Sequence, residues 1–135
     1  MDENSTFETI LLESKTIAVA GLSDKEERDS NKVGRYLQEQ GYKVYPVNPH
    51  REQVLGEKSN KSLKELQIGS IDIVVVFRKP EDVPPIIEDA IVLKPKLVWL
   101  QLGITNSEGM QKLKAAGIVG VEDKCIMVEH RRLKA

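Results

Sequence analysis

The feature that most constrains this chain is an apolar run that stops at a glycine and gives way to a helical pattern. Ile17–Ala20 is uniformly apolar, as expected for a strand covered on both faces of a sheet. Gly21 ends the run, and from about Ser30 apolar residues recur at helical spacing up to Gly41, which suits the position after a helix. A strand, a tight turn and a helix in this order form the opening βα unit of a nucleotide-binding domain.

Short apolar runs and amphipathic segments alternate through the rest of the chain. Four further strands are predicted, over 43–47, 71–77, 97–100 and 118–121. Helices are predicted to start near Ser5 (a short one at about 5–13), Pro80 and Thr105, and again within 126–133.

This alternation predicts an α/β fold: a Rossmann-like, doubly wound, mostly parallel sheet of five or six strands, with helices on both faces. Pro46 lacks a ladder donor, so strand 43–47 should lie near a sheet edge, whereas 71–77 is the most hydrophobic strand and should be central. Residues 52–58 are a candidate for an extra short strand, so the strand order is left open there. We expect a single domain over 1–135.

Composition excludes several classes of protein. The net charge is −1 and aromatic residues make up 4% of the chain, so nothing favours nucleic-acid binding. Cys125 is the only cysteine, so neither an internal disulfide nor a cysteine-based zinc site can form, and we predict no metal site. No apolar run approaches the roughly 20 residues that span a bilayer, and the acidic N-terminus is unlike a secretory signal. We expect a cytoplasmic protein, either monomer or homodimer.

Ligands of such sheets bind beyond the carboxyl ends of the strands. The candidate binding residues at these ends are Gly21, Leu22, Ser23, Lys25, Asn48, Pro49, Arg51, Phe77, Arg78, Gln101, Leu102, Gly103 and Cys125, with Ser30 and Lys32 at the start of the first inter-strand helix. Cations on several of these loops, together with a helix start, favour a phosphate-bearing ligand.

Two familiar uses of the fold are disfavoured. The dinucleotide fingerprint would need glycines where Ser23 and Glu26 stand, and Asn48 replaces the carboxylate that holds a ribose. A phospho-acceptor domain would need an aspartate where Phe77 and Arg78 follow the third long strand. NAD and phosphoryl transfer to aspartate are therefore not expected.

Some residues admit two interpretations. Ser30 is either the N-cap of its helix, a ligand contact, or both. Arg78 is either a surface ion-pair partner or a ligand contact, and its strand-end position favours the second. Cys125 is either a small buried residue or close enough to a thiol ligand to form a mixed disulfide. Trp99 is predicted in the core with its indole N–H partnered.

With these residues in view, the chain resembles the small stand-alone CoA-binding proteins related to the CoA-binding domain of the succinyl-CoA synthetase α-subunit, over about 15–133. The blocks that carry the resemblance are Ile17–Ser23, Val33–Leu37, Tyr45–Pro49, Val54–Glu57, Val76–Arg78 with Pro80–Val83, Val98–Ile104 and Cys125–Leu133.

The resemblance implies that coenzyme A lies across the strand ends. By position, Gly21 and Ser23 would approach its phosphates, Asn48, Pro49 and Arg51 would flank adenosine, Phe77 and Arg78 would line the cleft, and Gln101–Gly103 would meet pantetheine. The phosphohistidine domain of the synthetase has no counterpart among these residues, so ligase chemistry does not transfer. The implied function is binding of CoA or acyl-CoA without evident catalytic machinery. The alternatives are a small nucleotide-dependent redox or acyl-transfer enzyme using Cys125, and an interaction module with a vestigial pocket.

Overall fold

The computed structural model describes the backbone of residues 3–134 and the side chains of residues 7–134. The helices are α1 (Glu3–Glu13), α2 (Asp29–Glu39), α3 (Val83–Leu93), α4 (Ser107–Ala115) and α5 (Ile126–Lys134). The strands are β1 (Thr16–Ala20), β2 (Lys43–Val47), β3 (Gln53–Val54), β4 (Glu57–Lys58), β5 (Ile73–Val76), β6 (Leu97–Leu100) and β7 (Val119–Val121). None of the helices in this described part is long and apolar enough to cross a membrane.

Five strands form one parallel sheet in the order β2-β1-β5-β6-β7, which confirms the Rossmann-like α/β prediction. As predicted, β5 is central and β2, which contains Pro46, lies at an edge. Residues 52–58 do not add a sixth full strand. They form the separate antiparallel hairpin β3–β4, since Leu55 and Gly56 both have positive φ, the turn geometry that closes two-residue hairpins. A single parallel bridge between Val47 and Asn60 extends the sheet beyond β2.

The sheet is covered on both faces because its strands are apolar at successive positions. On β5, Ile73 and Val75 belong to one core cluster, which includes buried residues of α1, α2 and α5. Val74 and Val76 belong to the other, with residues of α3 and α4. All four side chains are fully buried. The carboxyl ends of the strands are left as the open edge of this three-layer arrangement.

Three helices, α1, α3 and α4, do not begin at the residues predicted from the sequence. Pro80 begins a one-turn 3₁₀ helix, and α3 starts only at Val83. Pro84 and Pro85 lack N–H groups and fit only the first turn of an α-helix, so α3 must begin beside them. Helix α4 is capped by Asn106, whose Oδ1 accepts the Gly109 N–H at 2.7 Å, and not by the neighbouring threonine. Helix α1 begins two residues before the predicted Ser5, whose side chain lies outside the described residues.

Candidate functional site

A cleft of about 1110 Å³ lies over the carboxyl ends of the strands. Thirteen of the predicted candidates line it: Gly21, Ser23, Lys25, Ser30, Lys32, Asn48, Pro49, Arg51, Phe77, Arg78, Gln101, Leu102 and Cys125. The fold therefore brings loops from four strands and the start of α5 around a single space.

Two predicted residues do not line the cleft. The Leu22 side chain is fully buried in the core, where a Cβ on Gly34 of α2 would lie 3.0 Å from it. Gly103 has a positive φ of 85°, and its N–H donates to Asp123 Oδ1 at 2.7 Å. Both residues shape the loops that carry their neighbours.

The turn at Gly21 sets the floor of the cleft. Its φ is 89°, and its N–H donates to the Val47 carbonyl of β2 at 2.9 Å. A Cβ at this position would lie 2.2 Å from the Phe77 carbonyl oxygen and 2.9 Å from Arg78 Cδ. Only glycine allows the β1 turn and the β5 end to approach this closely.

The loop after Gly21 is held by side chains from the first turn of α2. The Ser30 Oγ accepts the Ser23 N–H at 3.0 Å, and the Asn31 Nδ2 donates to the Ser23 carbonyl at 2.8 Å. Ser30 is therefore not the N-cap: that position belongs to Arg28, which makes no side-chain capping bond. With no side-chain cap, the N–H groups of the first turn are available to an anion.

Asn31 is a buried polar residue beside the cleft loop that the sequence analysis did not select. It is 2% exposed and fixes the Ser23 carbonyl. Its signal was available: a polar residue stands on the inward face of an amphipathic helix, where an apolar one is expected.

Two hydrogen bonds explain why an amide side chain, and not a carboxylate, stands at position 48. Its Nδ2 donates to the Leu22 carbonyl at 3.0 Å, and its Oδ1 accepts the His50 N–H at 2.8 Å. A carboxylate could accept the second bond but could not donate the first. An amide at this position therefore ties the loop after β2 to the loop after β1.

Charged side chains crowd one end of the cleft. Five cations line it, against two acids, Asp24 and Asp29; the cations are Lys25, Arg28, Lys32, Arg51 and Arg78. Arg51 Nε lies 2.7 Å from Asp24 Oδ2, and this hydrogen bond holds the pKa of Asp24 below its usual value. Asp29 lies in the first turn of α2, where the helix dipole favours an acidic side chain. Both acidic residues thus stabilise the local structure around the cleft.

The remaining cations differ in their pairing. Arg78 NH2 lies 3.3 Å from Asp82 Oδ2, so Arg78 is an ion-pair partner, and the residue also lines the cleft. Lys25, Arg28 and Lys32 form no ion pair within the described part of the chain. These three positive charges lie around the open start of α2.

The other end of the cleft is built by β6 and the segment before α5. Gln101 is 5% exposed, and its Oε1 accepts the Ile126 N–H at 2.8 Å, which caps α5. As predicted, Trp99 is buried with its indole N–H partnered: it donates to the Lys124 carbonyl at 2.7 Å. These bonds place Cys125, which is half-buried, on the cleft wall.

A known protein family matches most of the chain. The model of the CoA binding domain family matches residues 15–131. The chain belongs to this CoA-binding family.

Three individual proteins are also similar to this chain. The Bacillus subtilis protein YneT is 44% identical over 121 residues, which cover 90% of this chain and 89% of YneT. The solved structure of a protein from Thermus thermophilus, cell-free ID.343, is 42% identical with a TM-score of 0.90, covering 98% of this chain and 99% of that one. The α-subunit of an ADP-forming acetate–CoA ligase from Pyrococcus furiosus is 43% identical over 61 residues, which are 44% of this chain and 13% of the subunit.

In this member of the family, α5 lines the cleft with Met127 and Val128 and is anchored through a buried histidine. His130 of α5 is 2% exposed, and its Nδ1 lies 2.7 Å from the Tyr36 hydroxyl of α2. The Tyr42 ring packs edge-on against the imidazole, at 5.7 Å between centroids. Desolvation, and to a lesser degree the positive charge of Lys134, lowers the pKa of His130.

We expect acid to destabilise the chain through His130. Its pKa is about 6.5 when unfolded and lower when folded, so the unfolded state binds the extra proton as pH falls. The contribution is fully present above pH 6.5 and is lost as the pH falls from there toward the folded pKa. Thermal melts between pH 7.5 and 5.5 should show Tm falling less in His130→Gln than in the wild type. The matched control is His50→Gln, because His50 is exposed in a loop, and this variant should show the same change of Tm with pH as the wild type. If Tm changes equally with pH in all three proteins, His130 does not have this role.

Proposed function

We propose that this domain binds CoA or an acyl-CoA in the cleft over the strand ends, as a binding module without catalytic machinery of its own. The observation that carries the proposal is the cluster of Lys25, Arg28 and Lys32, unpaired within the described chain, around a helix start that no side chain caps. Phosphate groups bind at such helix starts because free N–H groups and the helix dipole both favour negative charge.

The spread of cations suits an extended ligand with several phosphates. Besides the cluster at α2, Arg51 follows β2 and Arg78 follows β5, so positive charge lies on three separate loops. A ligand with several phosphates accounts for this spread better than a single phosphate would. CoA carries a diphosphate and a separate ribose phosphate, and its phosphates can engage more than one loop at once.

The positions of the histidines and the cysteine support binding without catalysis. His50 follows β2 and Cys125 follows β7, at opposite edges of the sheet, with three strands between them. His130 is buried and bonded to Tyr36. Neither histidine is therefore placed to activate the thiol as a general base, the arrangement that nucleophilic catalysis needs.

The proposal is tested by calorimetry with CoA and NAD, and by native mass spectrometry of freshly purified protein. We expect a CoA adduct and clearly tighter binding of CoA than of NAD. Arg78→Ala should weaken CoA binding by about 1.5–3 kcal/mol, roughly 10- to 150-fold, because a charge-assisted bond to phosphate is lost. Arg132→Ala is the matched control, since Arg132 is also ion-paired but lies away from the cleft.

Two results would count against this proposal. NAD binding as tight as CoA binding would remove CoA as the preferred ligand. An Arg78→Ala variant with the same CoA affinity as Arg132→Ala would remove Arg78 from the site and leave its pair with Asp82 as its only role.

A further inference from the structure

We infer that the preferred ligand is an aliphatic acyl-CoA, whose acyl chain lies against the apolar end of the cleft. This inference rests on the proposed function, because it concerns the same cleft. It starts from a change in the chemistry of the cleft wall along the sheet: all charged lining residues follow β1, β2 and β5, whereas those after β6 and β7 are uncharged.

The uncharged end carries four aliphatic or thioether side chains, Leu102, Ile104, Met127 and Val128. Two of them are unusually open: Leu102 is 70% exposed and Val128 is 53% exposed. They come from different elements, the loop after β6 and helix α5, and are brought together only by the fold. Apolar side chains that converge on the wall of a binding cleft favour an apolar part of the ligand.

The charge distribution determines which part of the ligand reaches this end. The phosphates are held over β1, β2 and β5, so pantetheine must run along the strand ends toward β6. The sulfur then lies beside Gln101 and Cys125. A free thiol would leave the apolar side chains beyond it open to water, whereas an acyl chain attached to that sulfur would cover them.

Gln101 supplies the polar contact that a thioester needs. Its Oε1 is occupied by the Ile126 N–H, so its orientation is set, and its Nε2 has no hydrogen-bond partner within the described chain. The residue is 5% exposed and lines the cleft, so a donor is held at the boundary between the charged and apolar ends. A carbonyl oxygen of the pantetheine or of the thioester is a matching acceptor.

The test is a calorimetric series with free CoA, acetyl-CoA, butyryl-CoA and hexanoyl-CoA. We expect affinity to rise with chain length, by roughly two- to four-fold per methylene until the apolar wall is covered. The double variant Leu102→Ser, Val128→Ser should reduce the ratio of hexanoyl-CoA affinity to CoA affinity by at least about tenfold. Val92→Ser is the matched control: Val92 is 62% exposed on α3, outside the cleft, and its loss should leave the ratio unchanged.

The outcomes separate this inference from the proposed function. If no CoA compound binds, the proposed function fails. If all four ligands bind equally, or the double variant keeps the wild-type ratio, CoA binding stands and the acyl inference is overturned. It is also overturned if sedimentation shows a homodimer that the double variant dissociates while chain length has no effect, because a second copy then covers the patch.

Discussion

Gly21→Ala is expected to lower the free energy of unfolding by about 2–4 kcal/mol. A φ of 89° strains any residue with a Cβ by about 1 kcal/mol. The new Cβ would also meet the Phe77 carbonyl oxygen at 2.2 Å, and this oxygen belongs to the backbone and cannot rotate away. Relieving this contact requires the ends of β1 and β5 to move apart. Overpacking of this kind costs about 1–3 kcal/mol. Urea denaturation monitored by circular dichroism measures the change.

Gly41→Ala is the matched control for this prediction. Gly41 also has a positive φ, 97°, but a Cβ there would meet nothing within 4 Å. Its substitution should cost only the conformational strain, about 1 kcal/mol. The difference between the two variants isolates the close approach of β1 and β5. Equal destabilisation by both substitutions would show that the turn can widen freely, and Gly21 would then not set the floor of the cleft.

Trp99→Ala is expected to have the largest effect on stability, a loss of about 3–5 kcal/mol. Trp99 is the largest fully buried side chain, in the middle of β6, with its ring 5.4 Å from the Phe7 ring of α1. Truncation leaves a cavity between the sheet and α1 and removes the partner of the Lys124 carbonyl. Thermal and urea unfolding at neutral pH measure the loss.

Trp99→Phe separates the contribution of the buried ring from that of the indole hydrogen bond to the Lys124 carbonyl. It keeps most of the buried ring but loses the indole N–H that holds the segment before α5, so about 1–2 kcal/mol is expected. The released segment should also expose Cys125, which alkylation under native conditions detects as a faster reaction than in the wild type. If Trp99→Phe is as stable as wild type and Cys125 reacts no faster, the indole bond does not position this wall of the cleft.

Part of the site followed from the sequence because parallel strands end at one edge. A residue that comes directly after such a strand must lie at the open edge of the sheet, whatever the details of packing. Eleven candidates selected in this way line the cleft, among them Ser23, Arg78 and Gln101, together with Ser30 and Lys32 from α2. Their roles in ligand binding remain predictions that the calorimetric experiments address.

Side-chain roles within the site could not be predicted because they depend on partners distant in sequence. Asn48 bonds the Leu22 carbonyl 26 residues away, and Arg51 pairs with Asp24 27 residues away. Neither contact produces a periodic pattern of residues from which it could be predicted. Asn31, only eight residues from its partner, was missed because helical periodicity predicts burial but not the bond from its Nδ2 to the Ser23 carbonyl. Its buried Oδ1 has no hydrogen-bond partner among the described residues.

The α/β class, the positions of the long strands and the open edge of the sheet were predictable from the residue pattern, because burial on both faces forces a strand to be apolar. The tertiary structure alone decided that 52–58 forms a hairpin, since only the paired backbone conformations of Leu55 and Gly56 show it. It also decided how the cleft divides into a cationic and an apolar end. That division arises because β2, β1 and β5 are neighbours at one side of the sheet, whereas β6 and β7 lie together at the other side. The charged residues that follow the first three strands and the apolar residues that follow the last two therefore line opposite ends of one cleft.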